Sequence, residues 1–183
     1  HTFTFRSLFF ALAATLPMAA SAPAFAASKA DLESSSKQAL NQLVAQNPGA
    51  KALNAKAVAV LVFPKVTKAG LGVGGQFGEG VLWRKGKAAG YYNTAGASYG
   101  LQAGAQQYGY AMLFMNQKAL DSLSSTEGFE VGVGPSVVVM DEGKAKNITS
   151  GTLTEDIYAF IFSQKGLMAG LGIQGNKITR IEK

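Results

Sequence analysis

The sequence predicts an α+β fold: a strongly curved, glycine-rich antiparallel β-sheet or small barrel with an N-terminal helix and short packed helices. Apolar residues recur at helical spacing near the start, in residues 29–46. Beyond them, segments rich in β-branched and aromatic residues follow one another at roughly ten-residue spacing. The chain also has 22 glycine residues, many at alternate positions within these segments, which is typical of curved all-β structure.

The glycines are concentrated in an internal repeat. Residues 65–76 read KVTKAGLGVGGQ and residues 165–176 read KGLMAGLGIQGN, so that Gln76 and Asn176 end the two copies. A shorter echo, residues 100–104, resembles residues 166–170. Glycine at every second position leaves one face of a strand without side chains, so another element or a ligand can approach it closely.

Residues 1–26 are predicted to be a signal peptide that is cleaved before Ala27. Arg6 provides the positive start, residues 8–16 the apolar centre, and residues 24–26 (Ala-Phe-Ala) the cleavage site. A membrane anchor is disfavoured, because two prolines interrupt a run that is short for spanning a bilayer. The protein is therefore expected to be exported, to the periplasm or an outer-membrane-associated position in the cell envelope.

The remaining 157 residues suit one domain with its own core. They contain no cysteine, so neither a disulfide nor a lipid on cysteine is expected. With 16 basic and 11 acidic residues they carry a net charge of +5, which favours anionic partners such as phospholipid headgroups or nucleic acid. No segment approaches the 18 uninterrupted apolar residues of a spanning helix.

Lys29–Gln46 is predicted to be a helix that Asn47-Pro48-Gly49 ends. Residues 27–50 are thus an N-terminal helical segment, and residues 51–183 form the main domain. The helix either packs on that domain or lies on lipid as an interfacial helix. Packing is favoured, because the polar face is poor in lysine and arginine.

The main domain is predicted to be mostly β. A buried strand closed by Pro64 comes first, and Arg84–Lys87 reads as a hairpin turn. Asn116–Ser124 suits a short capped helix with Ala119, Leu120 and Leu123 facing inward. The strand candidates are residues 57–63, 81–85, 89–97, 101–114, 129–140, 157–162 and 167–174.

The sequence contains familiar nucleotide-binding and catalytic motifs, but the residues around them do not fit those functions. Gly70–Gly75 and Gly170–Gly175 both fit the dinucleotide pattern G-x-G-x-x-G, but the residues after them are poor helix starts and the expected acidic partner is missing. Residues 96–100 match the nucleophile pattern G-x-S-x-G, yet the sole histidine is His1, within the predicted signal peptide. Paired carboxylates lack metal-site spacing. The sequence therefore predicts neither an enzyme nor a metal or cofactor site.

The candidate site consists of basic residues on turns beside one tryptophan. Tryptophan prefers the headgroup level of a bilayer, and lysine or arginine nearby adds about 1 kcal/mol each on an anionic surface. A partly buried tryptophan on a solvated turn is the alternative. Nucleic acid is not expected as a partner of an exported protein. The predicted lipid-binding residues are Lys65, Lys68, Trp83, Arg84, Lys85, Lys87 and Lys165.

Three blocks of the chain, residues 59–80, 90–106 and 166–175, closely resemble SYLF-domain proteins, the family that includes yeast actin-patch proteins. The resemblance runs from about Ala57 to the C-terminus and makes residues 51–183 a SYLF-like domain. It implies a lipid-binding module without catalytic residues. The signal peptide fits the bacterial exported branch, so actin is not expected as a partner. In eukaryotic members a basic amphipathic segment at the start of the domain meets membranes, whereas Lys29–Gln46 is only weakly basic.

The sequence thus predicts a non-enzymatic lipid-binding protein of the bacterial envelope. It would recognise anionic phospholipid surfaces or headgroups through basic turns and an interfacial tryptophan. The alternative is a structural or protein-interaction module that self-assembles or docks an envelope protein partner.

Overall fold

The structure is a computed structural model, and it describes residues 27–124, 128–148, 153–163, 166–167 and 173–183. The predicted signal peptide lies outside these residues. Helix α1 spans Lys29–Gln46, as predicted, and begins where the Ser28 hydroxyl accepts a hydrogen bond from the Asp31 amide at 3.1 Å.

A second helix, α2 (Pro48–Lys56), follows α1 directly. The prediction that Asn47-Pro48-Gly49 ends the first helix is confirmed, but the same residues also start the next one. The Asn47 side chain caps α2 by accepting from the Ala50 amide at 3.0 Å, and Pro48 occupies the first turn, where its missing N–H costs nothing.

Two long strands, β1 (Ala59–Arg84) and β2 (Lys87–Phe114), form one antiparallel hairpin. Lys85 and Gly86 make the turn with φ angles of 52° and 76°, the left-handed pair that a two-residue hairpin requires, so the predicted turn is confirmed. The expectation that Pro64 closes its strand is wrong. The register shifts between Phe63 and Val66, and such an irregularity accommodates a residue without an N–H.

The other elements are short. Residues 129–140 were predicted as one strand, but two strands separated by a glycine turn lie there, with φ of 99° at Gly132 and 89° at Gly134. The predicted capped helix is confirmed as α3 and a 3₁₀ turn, with its three inward residues buried. The bounds are α3 Gln117–Asp121, the 3₁₀ turn Ser122–Ser124, β3 Phe129–Glu130, β4 Val137–Met140, α4 Glu142–Lys146, β5 Ile157–Ser163, β6 Gly166–Leu167 and β7 Lys177–Ile181.

The strands form one strongly curved sheet, a half-barrel. Its order is β3-β7-β2-β5-β4, with β1 paired to β2 and β6 paired to β5. The α+β class and the curvature are as predicted. The sheet is mixed rather than wholly antiparallel, because β4 and β5 run parallel.

The curvature folds β1 back on itself. Alternate glycines in its second half face backbone carbonyls of its first half: a Cβ on Gly80 would lie 2.5 Å from the Val62 oxygen, and one on Gly78 would lie 2.8 Å from the Lys65 oxygen. The predicted close approach to a side-chain-free face is confirmed, and the approaching element is the same strand.

Apolar residues are buried on both faces of the sheet. The inner face of the half-barrel holds Phe63, Tyr110 and Phe114. On the outer face, α1 and α2 bury Leu40 and Leu53 against the strands, so α1 packs on the domain. In the described part of the chain, no helix has the length and apolar character needed to cross a membrane.

Candidate functional site

The tip of the β1–β2 hairpin presents three exposed cations. Arg84 ends β1, Lys85 lies in the turn and Lys87 begins β2. The backbone of the two-residue turn holds them next to one another. Together with Trp83, which directly precedes Arg84, they are predicted site residues that lie within a few positions of one another in the sequence.

Trp83 attaches this hairpin tip to α1. A register shift between Leu82 and Trp83 precedes the tip, and the Trp83 indole N–H donates to the Ser36 hydroxyl at 2.7 Å. The Lys37 ammonium lies over the indole ring, 4.8 Å from its centroid, a distance at which cation–π attraction operates. The ring is half-buried against the outer core. Insertion of the Trp83 ring at the headgroup level of a bilayer stays a prediction. It concerns only the part of the ring that α1 leaves uncovered.

The tip cations have no carboxylate partner among the residues described here. Arg84 donates instead to the Gln117 side-chain oxygen at 2.9 Å, and Gln117 in turn donates to the Asp121 carboxylate at 2.8 Å. The one ion pair within the described ranges joins Lys183 to Glu79 at 2.8 Å, away from the turn. The positive charge of the tip is therefore available to an external anion.

The remaining predicted lysines are more widely placed. Lys65 is exposed on the first half of β1 and lines a groove together with Ser35 and Gln38 of α1. Lys65 and Trp83 thus approach the same turn of α1. Lys68 lies farther along β1, half-exposed and opposite Gln106, and Lys165 lies outside the described residues.

Sequence reasoning missed the contribution of α1. Lys37 covers Trp83, and Lys29 lies 5.7 Å from the centroid of the Tyr91 ring. The Tyr91 hydroxyl donates to Glu33, and this hydrogen bond raises the pKa of Tyr91 to about 12. Lys29, Glu33 and Lys37 follow one another at four-residue spacing, so they share one face of the helix. That spacing was the signal available in the sequence.

The last residues of the two copies of the repeat, Gln76 and Asn176, meet in the buried interior. The Gln76 amide donates to the Asn176 side-chain oxygen at 2.7 Å, and the Tyr108 hydroxyl donates to Gln76. All three side chains are buried, and burial raises the pKa of Tyr108 to about 12. A Cβ on Gly96 would come within 2.1 Å of the Asn176 oxygen, so this glycine makes room for the contact. The arrangement is a polar core that joins β1 to the segment before β7.

Of the two dinucleotide-like motifs, Gly170–Gly175 lies largely outside the described residues, and the other can be compared with the structure. Gly70–Gly75 lies inside β1, so no helix begins there to bind a pyrophosphate. Within the described ranges, no three carboxylate or histidine side chains gather as a metal site would require.

These features define an α+β half-barrel with exposed cations at the tip of its β1–β2 hairpin. Residues 95–183 match the family model described as "Ysc84: Las17-binding protein actin regulator". The match bears out the resemblance and supports the assignment of this segment to the SYLF-domain family. Proteins of this family are in general non-enzymatic binding domains with links to lipid or actin. The chain has no significant match among curated proteins.

Proposed function

We propose that this protein is a non-enzymatic lipid-binding protein of the bacterial envelope that binds anionic phospholipid surfaces through the tip of its β1–β2 hairpin. The observation that carries the proposal is the exposed set Arg84, Lys85 and Lys87, which lacks carboxylate partners among the described residues. Each such cation adds about 1 kcal/mol of attraction near an anionic bilayer.

The attachment of the tip to α1 supports this role. The Trp83–Ser36 hydrogen bond and the packing of the indole fix the turn on the domain, so binding need not first order a flexible loop. Lys37, above the indole, adds a cation beside the other three. We extend the proposal to Trp83 as an interfacial residue whose uncovered ring edge meets the headgroups while its N–H stays bonded to Ser36.

Liposome flotation tests the proposal. The protein is expected to float with vesicles that contain phosphatidylglycerol, to remain in solution with phosphatidylcholine vesicles, and to detach as salt is raised, because screening weakens exposed charge interactions. Equal and negligible binding to both vesicle types would refute it. Trp83 is the sole tryptophan of the chain, so a blue shift of its emission on anionic vesicles would report its own contact with lipid.

A structural or protein-interaction role is the second candidate. Phe77 is 41% exposed on the distal part of the hairpin, opposite Ala95, which is also exposed. An exposed aromatic side chain among small residues could contact a second copy or an envelope partner. Sedimentation that shows concentration-dependent oligomers, together with no vesicle binding, would favour this candidate over lipid binding.

A further inference from the structure

A groove runs between α1 and the sheet, separate from the hairpin tip. It consists of two adjoining cavities of about 580 and 180 Å³. Both are lined by Ala39 and Gln42 of α1 and by Phe162 and Ser163 of β5. These shared walls place the two cavities next to each other along α1, and together they have the size of sites that hold small ligands.

The two ends of this groove differ in charge. Lys65 lines one end, beside Ser35, and its ammonium has no ion-pair partner among the described residues. Glu142 lines the other end, beside Asn47. A single anionic group is therefore attracted to the Lys65 end and repelled from the Glu142 end.

Between the two ends the walls combine apolar side chains with uncharged polar ones such as Gln42 and Ser163. Tyr108 and Pro64 contribute to the larger cavity, Leu43 and Leu167 to the smaller, and Phe162 to both. Apolar chains gain free energy roughly in proportion to the area they bury on such walls. From Ser35 to Asn47 the groove follows α1 for about 18 Å, at about 1.5 Å per helical residue.

We infer that this groove is a binding site for a fatty acid, with its carboxylate at Lys65 and its alkyl chain running toward Glu142. The charge difference sets the direction of the ligand, and the length of the groove matches an extended chain. This site takes one amphiphile from solution and does not depend on the proposed attachment of the hairpin tip to a bilayer.

Isothermal titration with dodecanoate, below the concentration at which it forms micelles, tests the site. Dodecyltrimethylammonium, with the same chain and the opposite charge, is the ligand control. Gln42→Trp places a large side chain at a position that lines both cavities, whereas Asn41→Trp changes the neighbouring exposed residue of the same helix, which lines neither. Lys65→Gln removes the cation.

Saturable binding of dodecanoate is expected, weakened more than tenfold by Gln42→Trp, unchanged by Asn41→Trp, and weakened by up to about fivefold by Lys65→Gln, as for an exposed ion pair. If Gln42→Trp does not fold, Ala39→Leu fills the same stretch with a smaller group. No saturable binding, equal effects of the two tryptophan variants, or tighter binding of the cationic detergent would overturn the inference. Vesicle flotation of Gln42→Trp should remain normal. Titration therefore tests the fatty-acid groove, and flotation separately tests vesicle binding by the hairpin tip.

Discussion

Gly80 tests how the half-barrel closes. In Gly80→Ala the new methyl group meets the Val62 carbonyl oxygen at 2.5 Å and the Phe63 ring at 2.6 Å. The carbonyl belongs to a paired strand and cannot rotate away, so the overpacking costs about 1–3 kcal/mol. Alanine reduces the conformational freedom of the unfolded chain, which offsets about 0.4–1 kcal/mol. With the middle of each range, the free energy of unfolding should therefore fall by about 1.3 kcal/mol.

Gly75→Ala is the matched control in the same strand. Its nearest neighbour would be the Gly96 oxygen at 3.8 Å, and Gly75 does not have a positive φ, so only the gain of about 0.4–1 kcal/mol remains. The stability changes of Gly80→Ala and Gly75→Ala are measured by thermal unfolding, with circular dichroism as the signal. The melting temperature of a domain of this size shifts by about 2–4 °C per kcal/mol. Equal melting temperatures would refute the account in which β1 closes against its own glycine face.

Three further predictions concern side chains. Ser36→Ala should lower the free energy of unfolding by about 1 kcal/mol, because the Trp83 N–H loses its partner, and calorimetry measures the loss. Raising the pH from 10 to about 12 should destabilise the protein, since Tyr91 and Tyr108 are kept neutral in the fold but ionise in the unfolded chain; Tyr108→Phe should make this part of a pH-dependent denaturation series less steep. A double-mutant cycle of Gln76→Ala and Asn176→Ala should give a coupling energy of about 0.5–3 kcal/mol, as for residues in one buried network, and additive effects would contradict the contact.

Several features could be predicted because their causes are local. The bounds of α1 follow from apolar spacing and from Asn47-Pro48, and the hairpin turn follows from Gly86. The three cations of the tip lie together because Arg84, Lys85 and Lys87 are adjacent in sequence. In each case, the residues that determine the structure are within a few positions of it.

Other features depend on tertiary contacts and could not be read from local patterns. The helix α2 is short, and α4 and β7 occupy polar segments without strong periodicity. The parallel pairing of β4 with β5 depends on where the chain returns. The repeat suggested related strands, but only the folded sheet brings Gln76 to Asn176.

The same limit applies to the candidate site. A tryptophan beside basic residues is recognisable in sequence, but the Ser36 hydroxyl that holds its N–H comes from a helix 47 positions earlier. Lys37 of the same helix is likewise distant from Trp83 in sequence, and only the folded chain places its ammonium over the indole ring. The fatty-acid groove likewise combines α1 with Lys65 and Phe162, three segments that no spacing rule connects.

The most direct test of the central claim compares two charge reversals in one flotation experiment on phosphatidylglycerol vesicles. Arg84→Glu with Lys85→Glu inverts the hairpin tip, and Lys51→Glu with Lys56→Glu makes the same change in net charge at exposed positions of α2. The account predicts that the tip variant loses most vesicle binding at low salt, while the α2 variant keeps it. Equal losses in both variants would show that net charge alone drives binding and would contradict a binding site at the tip.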